Sequence, residues 1–248
     1  MPEPYDAFYT WQQDVPGFTS GMQKVLKGST ALISRVGGMG GPLAFSLAAA
    51  GVGRILLAHA GELRPDDLNR QILMNAGGLG EERHAQAAET LRRFNSSLDI
   101  DSVGENISEE NAAALVGRAD IVFSCAPLFE ERLLMNREAV AQGKFFVDAA
   151  MVATEGHVLA VAPGQSACLA CLVPSPPDYW KRRFPVLGAV SALVAQIGAL
   201  EGLKLLTGFA PAHIDTLLHI DTTSMRLRHV TVRRDPACPH CSPTPVRP

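Results

Sequence analysis

Between Ala31 and Leu63 the chain reads ALISRVGGMGGPLAFSLAAAGVGRILLAHAGEL, and few folds accept such a run. Ala31 to Ser34 suit a buried strand; Gly37, Gly38, Gly40 and Gly41 follow as a turn; Pro42 stands where a helix accepts proline; small residues carry that helix to Gly51; and Arg54 to Ala58 form a second strand. This is the opening unit of a Rossmann-like sheet. Glycines in such a turn let the backbone approach a phosphate, and the helix N-terminus offers unpaired N–H groups and the positive end of its dipole. Gly37, Gly38 and Gly40 are therefore candidate cofactor-binding positions. The usual fingerprint is broken twice. Arg35 takes the place of the first glycine, and His59 stands where an acid would grip a ribose, with Glu62 following later.

Alternation of strand and helix continues. Glu81 to Phe94 patterns as an amphipathic helix with Ala85, Ala88, Leu91 and Phe94 on one side, and Ser108 is a good N-cap for a helix running to about Val116. Ala119 to Ala126 is an apolar run typical of a strand buried on both faces; Phe129 to Gln142 returns as a helix ended by Gly143, and Lys144 to Val152 is the next strand. The fold class that follows is α/β: a Rossmann-like, mostly parallel sheet with helices on both faces. Its C-terminal strand ends, where ligands sit in such sheets, carry Arg35 to Gly40, His59, Cys125 and Asp148. Late strands at Thr216 to Ile220 and Met225 to Arg233, parted by Asp221 to Ser224, predict an antiparallel hairpin appended to the sheet.

Residues 1–30, with Tyr5, Phe8, Tyr9 and Trp11, read as an N-terminal arm, and 31–248 as a single domain. The formal net charge is −3 with cations and anions interspersed, which disfavours nucleic acid and anionic membrane as partners. No secretory signal is visible, so a cytoplasmic location is expected. The apolar run Val186 to Leu200 falls short of the roughly 20 residues that span a bilayer, and predicts a buried helix. Its small residues Gly188, Ala192, Ala195 and Ala199, with the aromatic arm, point to a homodimer. Lys181, Arg182 and Arg183 offer a basic loop to an acidic partner, and equally a solvated surface. Four of the five cysteines form two C-x-x-C pairs, Cys168/Cys171 and Cys238/Cys241, separated by 66 residues. In a reducing compartment these are metal ligands before they are disulfides, although two independent dithiols satisfy the spacing as well.

Taken together, VGGMG (36–40), AGVGRILL (50–57), LNRQ (68–71), Asn95 after a helix, CLAC (168–171), ALEGLKLLTG (199–208) and CPHC (238–241) resemble the ThiF/MoeB/HesA family, bacterial relatives of ubiquitin-activating enzymes. The resemblance implies adenylation of the C-terminal glycine of a ubiquitin-like sulfur carrier with ATP and magnesium, a homodimer, and a structural zinc on Cys168, Cys171, Cys238 and Cys241. It also implies that Arg70 reaches the ATP phosphates. Several other positions depart from the family pattern. The first glycine becomes Arg35, the strand-two aspartates fall on His59 and Gly61, an asparagine becomes Asp67, a lysine becomes Arg83, and the magnesium-linked aspartate becomes Pro127. The neighbouring subunit's arginine aligns with Trp11, and YWKRRF (179–184) holds no nucleophilic cysteine.

Arg70 is thus the candidate catalytic residue, and Gly37, Gly38, Gly40, His59, Arg70 and Arg83 the candidate cofactor positions. Structural zinc is expected, while the departures count against ATP and magnesium. The expected function is a zinc-stabilised, non-adenylating dimer that binds a small carrier protein, a peptide or a modified ligand. The alternative is an active ATP-dependent adenylyltransferase. A nicotinamide or S-adenosylmethionine enzyme is disfavoured, because both cofactors present a ribose for the missing strand-two acid.

Overall fold

A computed structural model of the chain describes residues 7–180 and 183–242. Eight strands form one sheet: β1 (Thr30–Ser34), β2 (Arg54–Ala58), β3 (Asp99–Val103), β4 (Ile121–Ser124), β5 (Phe145–Val152), β6 (Glu155–Val161), β7 (Thr216–Asp221) and β8 (Arg226–Thr231). Their order is β3-β2-β1-β4-β5-β6-β7-β8; the first five are parallel, and β6, β7 and β8 each run antiparallel to the strand before. The helices are α1 (Thr10–Gln13), α2 (Ser20–Gly28), α3 (Gly40–Ala50), α4 (Arg83–Phe94), α5 (Ala112–Gly117), α6 (Phe129–Ala141), α7 (Leu169–Leu172) and α8 (Gly188–Thr207).

Both faces of the sheet are covered, as the apolar strands require. Ile33, Ile121 and Phe123 turn to a core shared with α2, α3, α4 and α8, while Leu32 and Val122 turn to a second core shared with α5, α6 and the four paired cysteines. The expected hairpin is present, and Asp221 closes its turn by accepting from the backbone N–H groups of Thr223 and Ser224.

Four local expectations need correction. Strand β3 gave no signal, because this edge strand buries only Ile100 fully and reads as a polar stretch. Ser108 is not an N-cap: Asn111 holds that place and its side chain accepts from Ser108 N, so the helix starts at Ala112. On α4 the buried side is Ala87, Ala88 and Leu91, while Phe94 lies outside against Phe45 with ring centroids 4.4 Å apart. Helix α8 runs 20 residues, long and apolar enough to cross a membrane by length and composition, yet it packs on β5, β6 and α3.

The small residues of α8 serve that packing. Ala195 and Ala199 are buried, and a Cβ on Gly202 would lie 2.3 Å from Phe123 Cζ, so the helix approaches the sheet only because those side chains are absent. The expected outward small-residue face is therefore turned inward, and α8 exposes Leu193 and Leu200 instead. Within the arm, Tyr9 is buried and Gln12 and Gln23 both donate to Ala50 O, whereas Phe8 and Trp11 stand in solvent. Tyr5 lies outside the described residues.

Candidate functional site

An open cavity of about 750 Å³ lies over the C-terminal ends of the parallel strands. Its wall is built from the turn after β1 (Arg35, Gly37, Gly38), the end of β2 (His59), the loop that follows (Arg64 to Gln71), the start of α4 (Arg83), and the segment after β4 (Cys125 to Pro127). Trp180, Arg183 and Phe184 close one side; Lys181 and Arg182 lie outside the described residues. The structure thus brings Gly37, Gly38, His59, Arg70 and Arg83 together.

Two glycines act through their missing side chains. A Cβ on Gly38 would meet Arg70 Cγ at 2.8 Å, and one on Gly40 would meet the Arg35 carbonyl oxygen at 2.6 Å. Gly38 therefore seats the stem of Arg70, and Gly40 lets α3 start directly against the end of β1. Arg70 is held further by donating to Asp66 O (2.7 Å), Asn69 Oδ1 (2.7 Å) and Asp67 Oδ1 (3.1 Å). The other oxygen of Asp67 lies 3.8 Å from Arg83 Nε and accepts from Arg64 N at 3.1 Å. One buried carboxylate therefore fixes two guanidinium groups. Arg83 also donates to Glu62 O (2.9 Å) and contacts His59 Nε2 (3.2 Å). A guanidinium only donates, so Nε2 is the acceptor in this contact.

At the β1 turn Arg35 adopts φ +58°, a left-handed conformation that fits the glycine of the ordinary fingerprint, and its side chain pairs with Glu131. Beyond β4 no carboxylate takes the place of Pro127. The Pro127 carbonyl accepts from Trp180 Nε1 at 2.6 Å, and Trp180 packs edge-on against Phe129 at 5.6 Å. Asp148 lies beneath the wall rather than in it: fully buried, it pairs with Arg132, which in turn contacts His157 Nε2 at 2.9 Å. Burial alone would push the Asp148 carboxyl up, but Arg132 and His157 hold it well below the usual carboxylate range. Cys125 reaches the cavity wall as a deeply buried thiol whose acidity is suppressed by burial and by the charge of Asp148.

Of the acids at this wall, Asp66 is exposed and Asp67 is engaged by two arginines; Asp148 is covered beneath it, and the position after β4 carries proline.

The cysteines make a separate site in the second core. All four Sγ atoms lie within 4.8 Å of one another, with Cys168–Cys238 at 3.6 Å and Cys171–Cys241 at 3.4 Å. A tetrahedral zinc with Zn–S bonds near 2.3 Å needs sulfur–sulfur edges of about 3.8 Å, which this cluster nearly has already. Asn136, fully buried on α6, ties the two pairs together: its Oδ1 accepts from Leu169 N at 2.9 Å and its Nδ2 meets His240 Nδ1 at 2.7 Å. Sequence reasoning missed Asn136 and Glu131, because each matters through a partner distant in the chain, and it noted Asp67 only as a departure from the family's asparagine.

Fold and site together define a Rossmann-like α/β protein with a ligand cavity at its switch point and a cysteine cluster joining its crossover loop to its C-terminal segment. The ThiF family profile matches residues 9–240, and the chain belongs to that family. Protein HesA of Leptolyngbya boryana is 41% identical over 94% of this chain and 84% of its own length. The adenylyltransferase and sulfurtransferase MOCS3 of Xenopus laevis is 31% identical over 94% of this chain, which spans only 53% of that protein. Among solved structures, MccB of E. coli superposes with a TM-score of 0.85 at 19% identity, covering 100% of this chain and 76% of that one. MccB crystallised with ATP gives a TM-score of 0.80 at 20% identity, covering 96% and 74%.

Proposed function

We propose that this chain is a zinc-stabilised, non-adenylating member of the ThiF family, a cytoplasmic homodimer that binds a small carrier protein, a peptide or a modified ligand in the cavity over its parallel strands. Residues 31–248 act as one family-type unit, with residues 1–30 as its arm. The observation that carries this reading is the β4 end of the cavity: Pro127 offers no carboxylate, its carbonyl is occupied by Trp180, and the buried Asp148 is paired with Arg132. Adenylation develops negative charge between phosphates, and loss of one group that stabilises such charge commonly costs roughly 3–4 kcal/mol, a factor of about 100 to 1,000. His59, in contact with Arg83, supplies no carboxylate for a ribose either.

A closed cluster of four thiolates suits zinc, and such a zinc site is structural because no coordination position is left for substrate. Peptide or carrier binding draws support from the neighbour MccB, solved with the peptide MccA, and from the open cavity itself. Dimerisation draws support from Leu187, Leu193 and Leu200 on and beside α8 and from Phe8 and Trp11 on the arm, all exposed.

The second reading, an active adenylyltransferase, is favoured by the likeness to MOCS3 and by Asp66, whose exposed side chain lies at the cavity and could take a magnesium role. The two are separated by intact-mass spectrometry of ubiquitin-like carrier proteins from the same genome, incubated with the chain, ATP and magnesium. The proposal expects the carriers to keep their mass. An acyl-adenylate on any carrier's C-terminus would establish the second reading.

A further inference from the structure

Helix α8 ends beside a cluster of titratable groups that neither the cavity nor the cysteines use. Glu201, in the last two turns of α8, has a side chain only 2% exposed. Its Oε2 accepts from the backbone N–H of His213 at 2.7 Å, while its Oε1 accepts from Lys204 Nζ at 2.7 Å and faces His213 Nδ1 at 2.9 Å. Burial alone would raise this carboxyl, but Lys204 and His213 hold it below its ordinary value, so it stays ionised. A carboxylate only accepts. Nδ1 is therefore the donor in its contact with His213, and Nε2, on the other edge of a ring that is 37% exposed, has no hydrogen-bond partner among the described residues.

A second imidazole comes from the edge of the sheet. Strand β8 is last in the order, pairs only with β7, and is exposed along its whole length. His229 stands opposite Leu218, and directly opposed residues of an antiparallel pair share a face. Leu218 is buried in the core that α8 covers, so His229 projects on the α8 side. The ring centroids of His213 and His229 lie 5.0 Å apart with 74° between their planes, and no hydrogen bond engages the His229 ring among the described residues. A metal held by two imidazole nitrogens at about 2.0–2.1 Å sits about 3.2 Å from each centroid, which sets the centroids about 4.5 Å apart at a right angle and about 5.2 Å apart at the tetrahedral angle. The observed spacing falls between these. Histidines that bind metal characteristically give their other N–H to a carboxylate, and that is the contact His213 makes with Glu201.

We propose that His213 and His229 form a site for a first-row divalent transition metal, which clamps the edge strand β8 to the loop that follows α8. Imidazole nitrogen suits zinc, copper and nickel. With two protein ligands the remaining positions belong to water, so this metal exchanges, in contrast to one enclosed by four thiolates. The residues are separate from both sites already described: none of them lines the cavity, and the cysteines belong to the other core.

The test is calorimetric titration of the untagged full chain with nickel, a metal that imidazole suits and thiolate does not favour over zinc. His213→Ala with His229→Ala, which leaves the cysteine cluster intact, supplies the baseline; both side chains reach solvent, so the double variant keeps the core. The wild-type chain is expected to bind one nickel more than this variant, and each single variant to bind that nickel about tenfold more weakly or worse. Saturating nickel is expected to slow amide exchange across Arg226–Thr231 in the wild type and not in the double variant. Equal nickel uptake by the wild type and the double variant would overturn the proposal. So would a single variant that binds as tightly as the wild type, or exchange in β8 that saturating nickel leaves unchanged.

Discussion

Replacing Asp148 with asparagine removes the charge that balances Arg132 while keeping the side chain's shape. Arg132 is 1% exposed and Asp148 fully buried, and they meet through two parallel contacts, so the variant leaves a guanidinium uncompensated inside the protein. Breaking a buried pair from one side costs about 3–5 kcal/mol. With an unfolding entropy of roughly 2.1 cal/mol/K per residue, that loss lowers Tm by about 6–10 °C for a chain of this length. The effect depends on pH with a definite sign. Because the folded Asp148 carboxyl is held below its ordinary range, its contribution is fully present above an unfolded pKa of about 3.9 and fades as pH falls through the lower folded value. The stability gap between wild type and Asp148→Asn is therefore constant from pH 7 to about pH 5 and narrows below about pH 4. Urea unfolding at a series of pH values reads both quantities. A gap under about 1 kcal/mol at pH 7, or one that widens in acid, would refute the assignment of this pair as a buried structural ion bridge.

Elemental analysis of protein purified without added metal is expected to give one zinc per chain, and chelation to loosen the C-terminal segment, seen as faster amide exchange around Cys238 to Cys241. Asn136→Ala, which unties both cysteine loops, is expected to weaken zinc about 10–100-fold in a competition titration with a chromophoric chelator. Gly202→Ala puts a Cβ against the Phe123 ring and is expected to cost about 1–3 kcal/mol in urea unfolding. Light scattering is expected to give the dimer mass for wild type and the monomer mass for Leu193→Glu with Leu200→Glu; a wild-type monomer at all concentrations would contradict the exposed leucines as an interface.

The parts of the fold that were legible in the sequence are those set by local pattern. The strand–glycine turn–helix unit, the doubly buried β4 and the hairpin around Asp221 each announce themselves through residue types that only one local conformation satisfies. Strand β3 was illegible because an exposed edge strand needs little apolar content. The inward turn of the small residues on α8 was misread for a related reason: a stripe of alanine and glycine permits close approach on either side, and only the position of Phe123 decides which. The cysteine cluster was found because four identical ligands in two pairs are a conspicuous pattern, while Asn136, which orients them, looks like any polar residue on a helix. In the cavity, Arg35 was visible as a departure from the glycine fingerprint, but its meaning lies in Glu131, nearly 100 positions further along the chain. Asp67 likewise was visible only as a departure from the family's asparagine, and its meaning lies in Arg70 and Arg83 on either side of it.

The central claim is that a family scaffold is retained here without the charge arrangement that adenylation requires. ATP–pyrophosphate exchange, measured with magnesium and with ubiquitin-like carriers from the same genome, tests it most directly, because exchange reports formation of the acyl-adenylate without requiring the acyl-adenylate to leave. Exchange at the level of a no-enzyme control, unchanged by Arg70→Ala, is the predicted result. Exchange well above that level and abolished by Arg70→Ala would contradict the account.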